Sequence, residues 1–255
     1  MPKSIIYFLL LTSFVMPNAI CAVVSPEAEK TKPVVTIVID DLGYQTRDFG
    51  FLDLPSEITF AILPNAQFST VLAQRAHAQD RDVILHMPME PLEHSRELGK
   101  APLMSNMDRQ QLAYTFKNAL ASVPFAIGVN NHMGSKFTQL SGPLQGVMDC
   151  LKDTGMFFLD SRTTPFSKAY EIAKSANITA LRRDVFLDHQ KTPEFMQIQL
   201  KRLIIKAKQN GQALAIAHPH QSTLVFLREI LPTLHHAGVE LVDIQTYQNR
   251  KIPQI

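Results

Sequence analysis

The 255-residue chain has no tryptophan, only two cysteines and a formal net charge of +2. Each shortage excludes something. Without tryptophan it lacks the residue that dominates many aromatic sugar-binding platforms. A charge so close to zero, with no basic block interleaved with aromatics, argues against nucleic acid as a partner. Four sequence signatures are missing as well. There is no G-x-S-x-G elbow of a serine hydrolase. There is no Walker or dinucleotide glycine pattern, and no H-E-x-x-H of a zincin protease.

The apolar stretch at residues 5–16 is short for a membrane span. It follows Lys3 and precedes the small residues around Asn18 to Ala22, which is the grammar of a secretory signal peptide. The expected organisation is a signal peptide over residues 1–21, a polar linker over 22–33 and one domain over 34–255. Such a chain is expected to be exported, to the periplasm in a Gram-negative cell, with no stable membrane insertion after cleavage. Cleavage would remove Lys3 and Cys21, leaving a single thiol, Cys150, which cannot form an internal disulfide. Cys150 falls in the helical pattern GPLQGVMDCLKDTG and reads as a packed helix residue.

With 45% hydrophobic and 19% charged residues, the remainder suits one sizeable globular domain. Strands are predicted at 34–39, 58–62, 82–85, 125–129, 156–159, 180–187, 213–217 and 239–242. Helical patterns lie between most of them, among them QFSTVLAQRAHAQ, DRQQLAYTFKNALASV, TPEFMQIQLKRLIIKAKQNG and STLVFLREILPTLHHAG. Pro193 opens one such helix and Gly211 stops it. This alternation predicts an α/β fold with about seven or eight mainly parallel strands, better accommodated by a barrel than by a short open sheet.

The polar residues are placed informatively. The first strand reads VTIVIDDLGY, an apolar run fit for burial on both faces that ends in Asp40 and Asp41. Other apolar runs end in His86 with Glu90 four residues on, in Asn130, Asn131 and His132, in Asp160 and Arg162, in Asp188 and His189, and in His218 and His220. Groups that follow the strands of a parallel sheet or barrel converge on one face. His86, His132 and a carboxylate would make a nitrogen/oxygen set suited to zinc or a similar divalent ion with an open position. A second carboxylate beside a ligand carboxylate can take a proton from water, and a further histidine can protonate a leaving group. A glycosidase needs its two carboxylates several ångströms apart across a sugar, so adjacent Asp40 and Asp41 fit that chemistry poorly.

Taken together, VTIVIDDLGY, TFAILPN, HMPMEP, NNHMGS, FLDSRT and AIAHPH resemble the divergent branch of the polysaccharide deacetylases, metal-dependent carbohydrate esterases on a distorted (β/α) barrel. The resemblance runs from about Pro33 to the C-terminus. It implies Asp40 as base and Asp41 as metal ligand. The main family carries H-x3-H after a later strand; His86 matches the first histidine and Glu90 stands in the second place. Either Glu90 ligates or the second imidazole comes from His132; His132 is favoured, with Glu90 and Asn131 then supporting the ligands or facing substrate. AIAHPH matches the place of the family's acid, with His218 nearest in register and His220 its competitor. The family's Arg-Pro-Pro segment is not visible, and Arg162 is the candidate to orient Asp160 or Asp40. The implied activity is metal-dependent removal of N- or O-linked acetyl groups from an acetylated polysaccharide or peptidoglycan-like glycan, with zinc as the expected cofactor. The competing expectation is a glycan- or envelope-binding protein that keeps the scaffold without the catalysis.

Overall fold

The computed structural model describes residue 1, residues 32–93 and residues 98–250. Apart from Met1, the predicted signal peptide lies outside the described residues, as does the linker up to residue 31.

Among the described residues, nine parallel strands form one curled sheet: β1 (Val34–Leu42), β2 (Thr59–Ile62), β3 (Val83–Met89), β4 (Ala126–Met133), β5 (Phe157–Asp160), β6 (Ala180–Arg182), β7 (Val185–Phe186), β8 (Gln212–Ala217) and β9 (Glu240–Leu241). Their order is β6-β5-β4-β3-β2-β1-β8-β7, with β9 pairing the start of β1. The helices are α1 (Ser69–His77), α2 (Arg109–Ser122), α3 (Ser141–Leu151), α4 (Ala169–Ser175), α5 (Pro193–Asn210), α6 (Gln221–Ile230) and α7 (Ile244–Asn249). None of them is long and apolar enough to cross a membrane.

Strand alternation divides β1 between two cores. Val35, Ile37 and Ile39 join the large cluster shared with the helices. Val34 and Val38 join a smaller one with Ala61, Ile84, Leu214 and Ile216 from the neighbouring strands. Ile244 and Tyr247 of α7 complete that second cluster, so this short helix fills the inside of the sheet near the strand starts. The continuous apolar runs thus follow from burial on both faces.

The predicted strand at 180–187 is two strands. β6 pairs β5 and β7 pairs β8, at opposite ends of the sheet order. Only Arg183 and Asp184 connect them, so the sheet must curl until its edges adjoin. No ladder joins β6 to β7 among the described residues. This is the distorted barrel in physical terms: closed by the chain, open in its hydrogen bonds.

Helix ends follow their sequence signals. Thr192 accepts the Phe195 amide ahead of Pro193, and Gly211 takes the left-handed φ of +82° that stops α5. Asp108 and Gln111 form a reciprocal capping box on α2.

Candidate metal centre

Adjacent residues of a regular strand point to opposite faces. Asp40 and Asp41 nevertheless border one cleft. The pairing register between β1 and β2 slips between Ile39 and Leu42, and Asp41 lies in the left-handed region at φ +59°. Such irregularities re-aim side chains, and aspartate tolerates the left-handed region better than most residues. The two acids are therefore inside β1, at a bulge, and not beyond its end.

His86 and His132 come from the neighbouring strands β3 and β4, which run longer than predicted. Their register sets His86 beside Asn130 and Pro88 beside His132. Pro88 is tolerated because β2 pairs β3 only as far as Leu85, where its missing N–H would otherwise break a ladder.

Three donor atoms converge. Asp41 Oδ1 lies 3.0 Å from His86 Nε2 and 2.8 Å from His132 Nδ1. The two ring nitrogens are 3.2 Å apart. Ligands on a tetrahedral zinc-class ion would stand about 3.3 Å from one another, so one ion fits between them with slight opening. The donor set suits such an ion also in chemistry, one carboxylate and two imidazoles. Asp41 keeps 35% of its side-chain surface exposed, against 2% for His86, which leaves an approach from the cleft.

Asn130 organises the centre. Its Nδ2 donates to Asp40 Oδ1 at 2.8 Å and to Ser161 Oγ at 3.2 Å. Its Oδ1 must then accept from His86 Nδ1, 2.7 Å away. Nδ1 therefore carries a proton, which leaves Nε2 as the nitrogen that could give its lone pair to an ion. Asp40 Oδ2 stands 3.7 Å from His86 Nε2.

The two acids are driven apart electrostatically. Burial raises the pKa of Asp40 above the ordinary carboxylate range, outweighing the attraction of His86 and His218. Burial also opposes ionisation of Asp41, but hydrogen bonds from His132 and His86 hold it well below that range. His86 is raised: burial disfavours its charge, while Asp40 and Asp41 more than compensate.

Across the cleft, His218 Nδ1 meets Asp188 Oδ1 at 2.8 Å. Asp188 Oδ2 accepts from the His218 amide and from Thr223 Oγ1. Burial pushes the imidazole pKa down, but Asp188, with Asp41 and Asp40 behind it, lifts it to about 9. His218 borders both the cleft of about 510 Å³ that holds Asp40 and the adjoining one of about 730 Å³. His220 borders only the second of these, its ring 6.1 Å from that of His218.

The four other expected residues stand outside the ligand cluster. Glu90 does not join the ligand cluster: its carboxylate is taken up by Lys136 Nζ and the Ser105 amide, both at 2.7 Å. Asn131 donates to Met133 O and accepts from the Ser161 amide, shaping the cleft wall. Asp160 caps its own loop through the Arg162 amide and Ser167 Oγ. Arg162 borders a different groove, and the residue between the sheet edges, Arg183, is the guanidinium that grips this loop. Asn130 and Asp188 stood in the polar clusters read from sequence but were given no part in the chemistry. A polar side chain two residues before His132 on one strand face was the available signal for Asn130.

An α/β protein whose curled parallel sheet carries an oxygen/nitrogen triad near the strand ends is one built around a candidate metal centre. The chain belongs to the divergent polysaccharide deacetylase family, whose model matches residues 37–247. It is 35% identical over 201 residues to the uncharacterized protein YibQ of Escherichia coli (strain K12), a match covering 78% of this chain and 63% of YibQ, so it spans less than two thirds of that relative. Among solved structures it is similar to uncharacterized protein ATU2773 from Agrobacterium tumefaciens C58, with a TM-score of 0.81 at 23% identity over 85% of this chain and 89% of that one. It also shares the fold of the catalytic domain of peptidoglycan N-acetylglucosamine deacetylase from Eubacterium rectale ATCC 33656, with a TM-score of 0.51 at 13% identity over 88% and 93% of the two chains.

Proposed function

We propose that this chain is an exported hydrolase that removes N- or O-linked acetyl groups from a polysaccharide or peptidoglycan-like glycan, with one divalent ion, zinc by preference, held by Asp41, His86 and His132. The observation that carries the reading is the convergence of those three donor atoms beside Asp40. Family membership supports the glycan, and the N-terminal signal pattern supports export to the periplasm.

A divalent ion there would polarise the acetyl carbonyl and make a water acidic at neutral pH. Asp40 takes the proton from the attacking water. Its raised pKa suits a base, and the depressed pKa of Asp41 suits a ligand; a pair of acids separated in this way marks the division of labour. Asn130 holds Asp40 and His86 in register through one amide. His218, kept protonated by Asp188, donates to the departing amine or alkoxide. His218 is preferred to His220 because it borders the cleft of Asp40.

The test is metal content of the dialysed mature chain, with acetate release from acetylated glycans alongside. About one ion per chain is expected, lost in Asp41→Asn. Asp40→Asn should keep the ion and lose about 10²–10⁴-fold in turnover. If no ion binds after zinc, cobalt or nickel is offered, the mechanism fails. Glycan binding indifferent to chelator, with no acetate released, would instead make the chain a binding protein on this scaffold.

A further inference from the structure

Beside the metal cleft runs a second groove of about 620 Å³, between the loop that follows β5 and helix α5. It shares Thr163 and Phe186 with the cleft of Asp40 and Asp41, so the two adjoin. Arg162, Arg183, Arg202 and Lys206 border it, against one acid, Asp184. That acid is already engaged: Oδ2 accepts the Leu214 amide and Oδ1 stands 3.7 Å from Lys206 Nζ.

The basic side chains divide into one that builds the wall and others that are available. Arg183 is structural, donating to Ser161 O at 2.7 Å and Arg162 O at 2.9 Å and lying 3.5 Å over the Phe186 ring. The exposed Arg162 has no hydrogen bond or ion pair to its guanidinium among the described residues. Its backbone is nonetheless held at φ +49°, by Asp160 on its amide and Arg183 on its carbonyl. A non-glycine residue in that region is strained and persists only where its surroundings over-determine it. Arg202, from α5, has a single contact, to Gln199 at 3.3 Å. The crowding is felt: burial first, then the charge of Arg162, pushes the Arg183 guanidinium down to about 10. Arg162 and Arg202 thus border the groove without a carboxylate partner among the described residues, alongside a cleft read as the seat of a sugar polymer.

We propose that this groove is an anion subsite of the glycan site, in which Arg162 and Arg202 hold a carboxylate or phosphate of the polymer while a neighbouring sugar presents its acetyl group to the metal cleft. Guanidinium groups recognise such oxyanions by paired, charge-assisted hydrogen bonds. The substrate class is therefore an anionic acetylated glycan, and the occupant of the metal cleft rests on the deacetylase reading above.

The test uses the full chain with three probes: the N-acetylglucosamine pentamer, the same pentamer bearing one carboxymethyl ether, and the pentamer bearing one phosphate. Binding is measured by calorimetry at low and raised salt for the wild type and for Arg162→Gln/Arg202→Gln, with acetate release followed separately. At least one anionic pentamer should bind the wild type ten-fold or more tighter than the neutral one. The carboxylate and phosphate arms identify which oxyanion is preferred. That preference should shrink with salt and vanish in the double variant, whose neutral-pentamer affinity stays unchanged. Equal binding of all three, no binding of any, or a preference that survives in the double variant overturns the subsite. Acetate release at equal kcat/KM from all three would leave the deacetylase standing and the subsite refuted. An anion preference lost in the double variant without acetate release would do the reverse.

Discussion

Asn130 carries one amide between Asp40 and His86, and its replacement should be felt in both. In Asn130→Ala, Asp40 Oδ1 loses a buried donor and His86 Nδ1 loses its acceptor. Groups that orient a metal-binding histidine are worth about 10–100-fold in metal affinity, so metal titration should show a loss in that range. Stability should fall by about 1–3 kcal/mol for the orphaned buried groups. An unchanged metal affinity would mean that the Asn130 contact does not set the His86 tautomer. His218 offers a second prediction at this scale, one of pH. Its folded pKa is raised to about 9 and its unfolded value is about 6.5. The stabilisation from its pair with Asp188 is therefore complete below the unfolded value and lost as pH rises through about 9. Unfolding free energies measured from pH 6 to 10 should show that decline in the wild type and not in His218→Gln. The ring-proton titration of His218 should move down toward its ordinary pKa in Asp188→Asn.

At the scale of elements, β4 must lie close against β5, and Gly128 makes this possible. A Cβ at that position would stand 2.5 Å from the Phe157 ring, its cross-strand partner. Gly128→Ala should lower stability by about 1–3 kcal/mol through overpacking, read as a lower urea midpoint at unchanged slope. Adding Phe157→Leu should recover part of the loss, since the two positions share one space. If the pair behaved additively, the close approach would not be the cause. The same strands show what could and could not be read beforehand. Two-sided burial made β1 and β8 legible as apolar runs, and caps made α5 legible to its ends. β3 and β4 were cut short because His86, Asn130 and His132 look like the end of an apolar run, whereas here polar residues continue the ladder. The division into β6 and β7 was invisible because sheet closure, and nothing local, separates Leu181 from Val185. α7 was missed because six residues are too few to show a helical period.

Across the whole molecule, the two ends of the sheet have different tasks. The triad, Asp40 and His218 gather toward one end, as residues late in parallel strands must. That made His86, His132 and a carboxylate readable as a candidate set from six polar clusters, while the choice of Asp41 over Asp40 came with the family resemblance. What the sequence left without a role were the side chains that connect clusters, Asn130, Asp188 and Arg183, because their meaning lies in distances between strands far apart in sequence. Arg81 marks the opposite end, just before β3. Only 2% exposed, it donates to the carbonyls of Pro55 at 2.7 Å, Ile58 at 2.9 Å, Leu54 at 2.7 Å and Leu52 at 3.3 Å, and lies 4.4 Å over the Phe60 ring. Burial lowers its pKa only to about 10, so it stays charged at neutral pH. Methionine fills similar volume but donates nothing, leaving those carbonyls unpaired in a dry site. Arg81→Met should therefore cost about 3–5 kcal/mol, at the upper end for a single substitution. If stability and chemistry are separated along the strands, the folded fraction well below its melting temperature should bind metal with wild-type affinity. A metal affinity that fell in proportion to stability would mean that the two ends of the sheet are coupled, and that the triad depends on the whole curl of the sheet for its geometry.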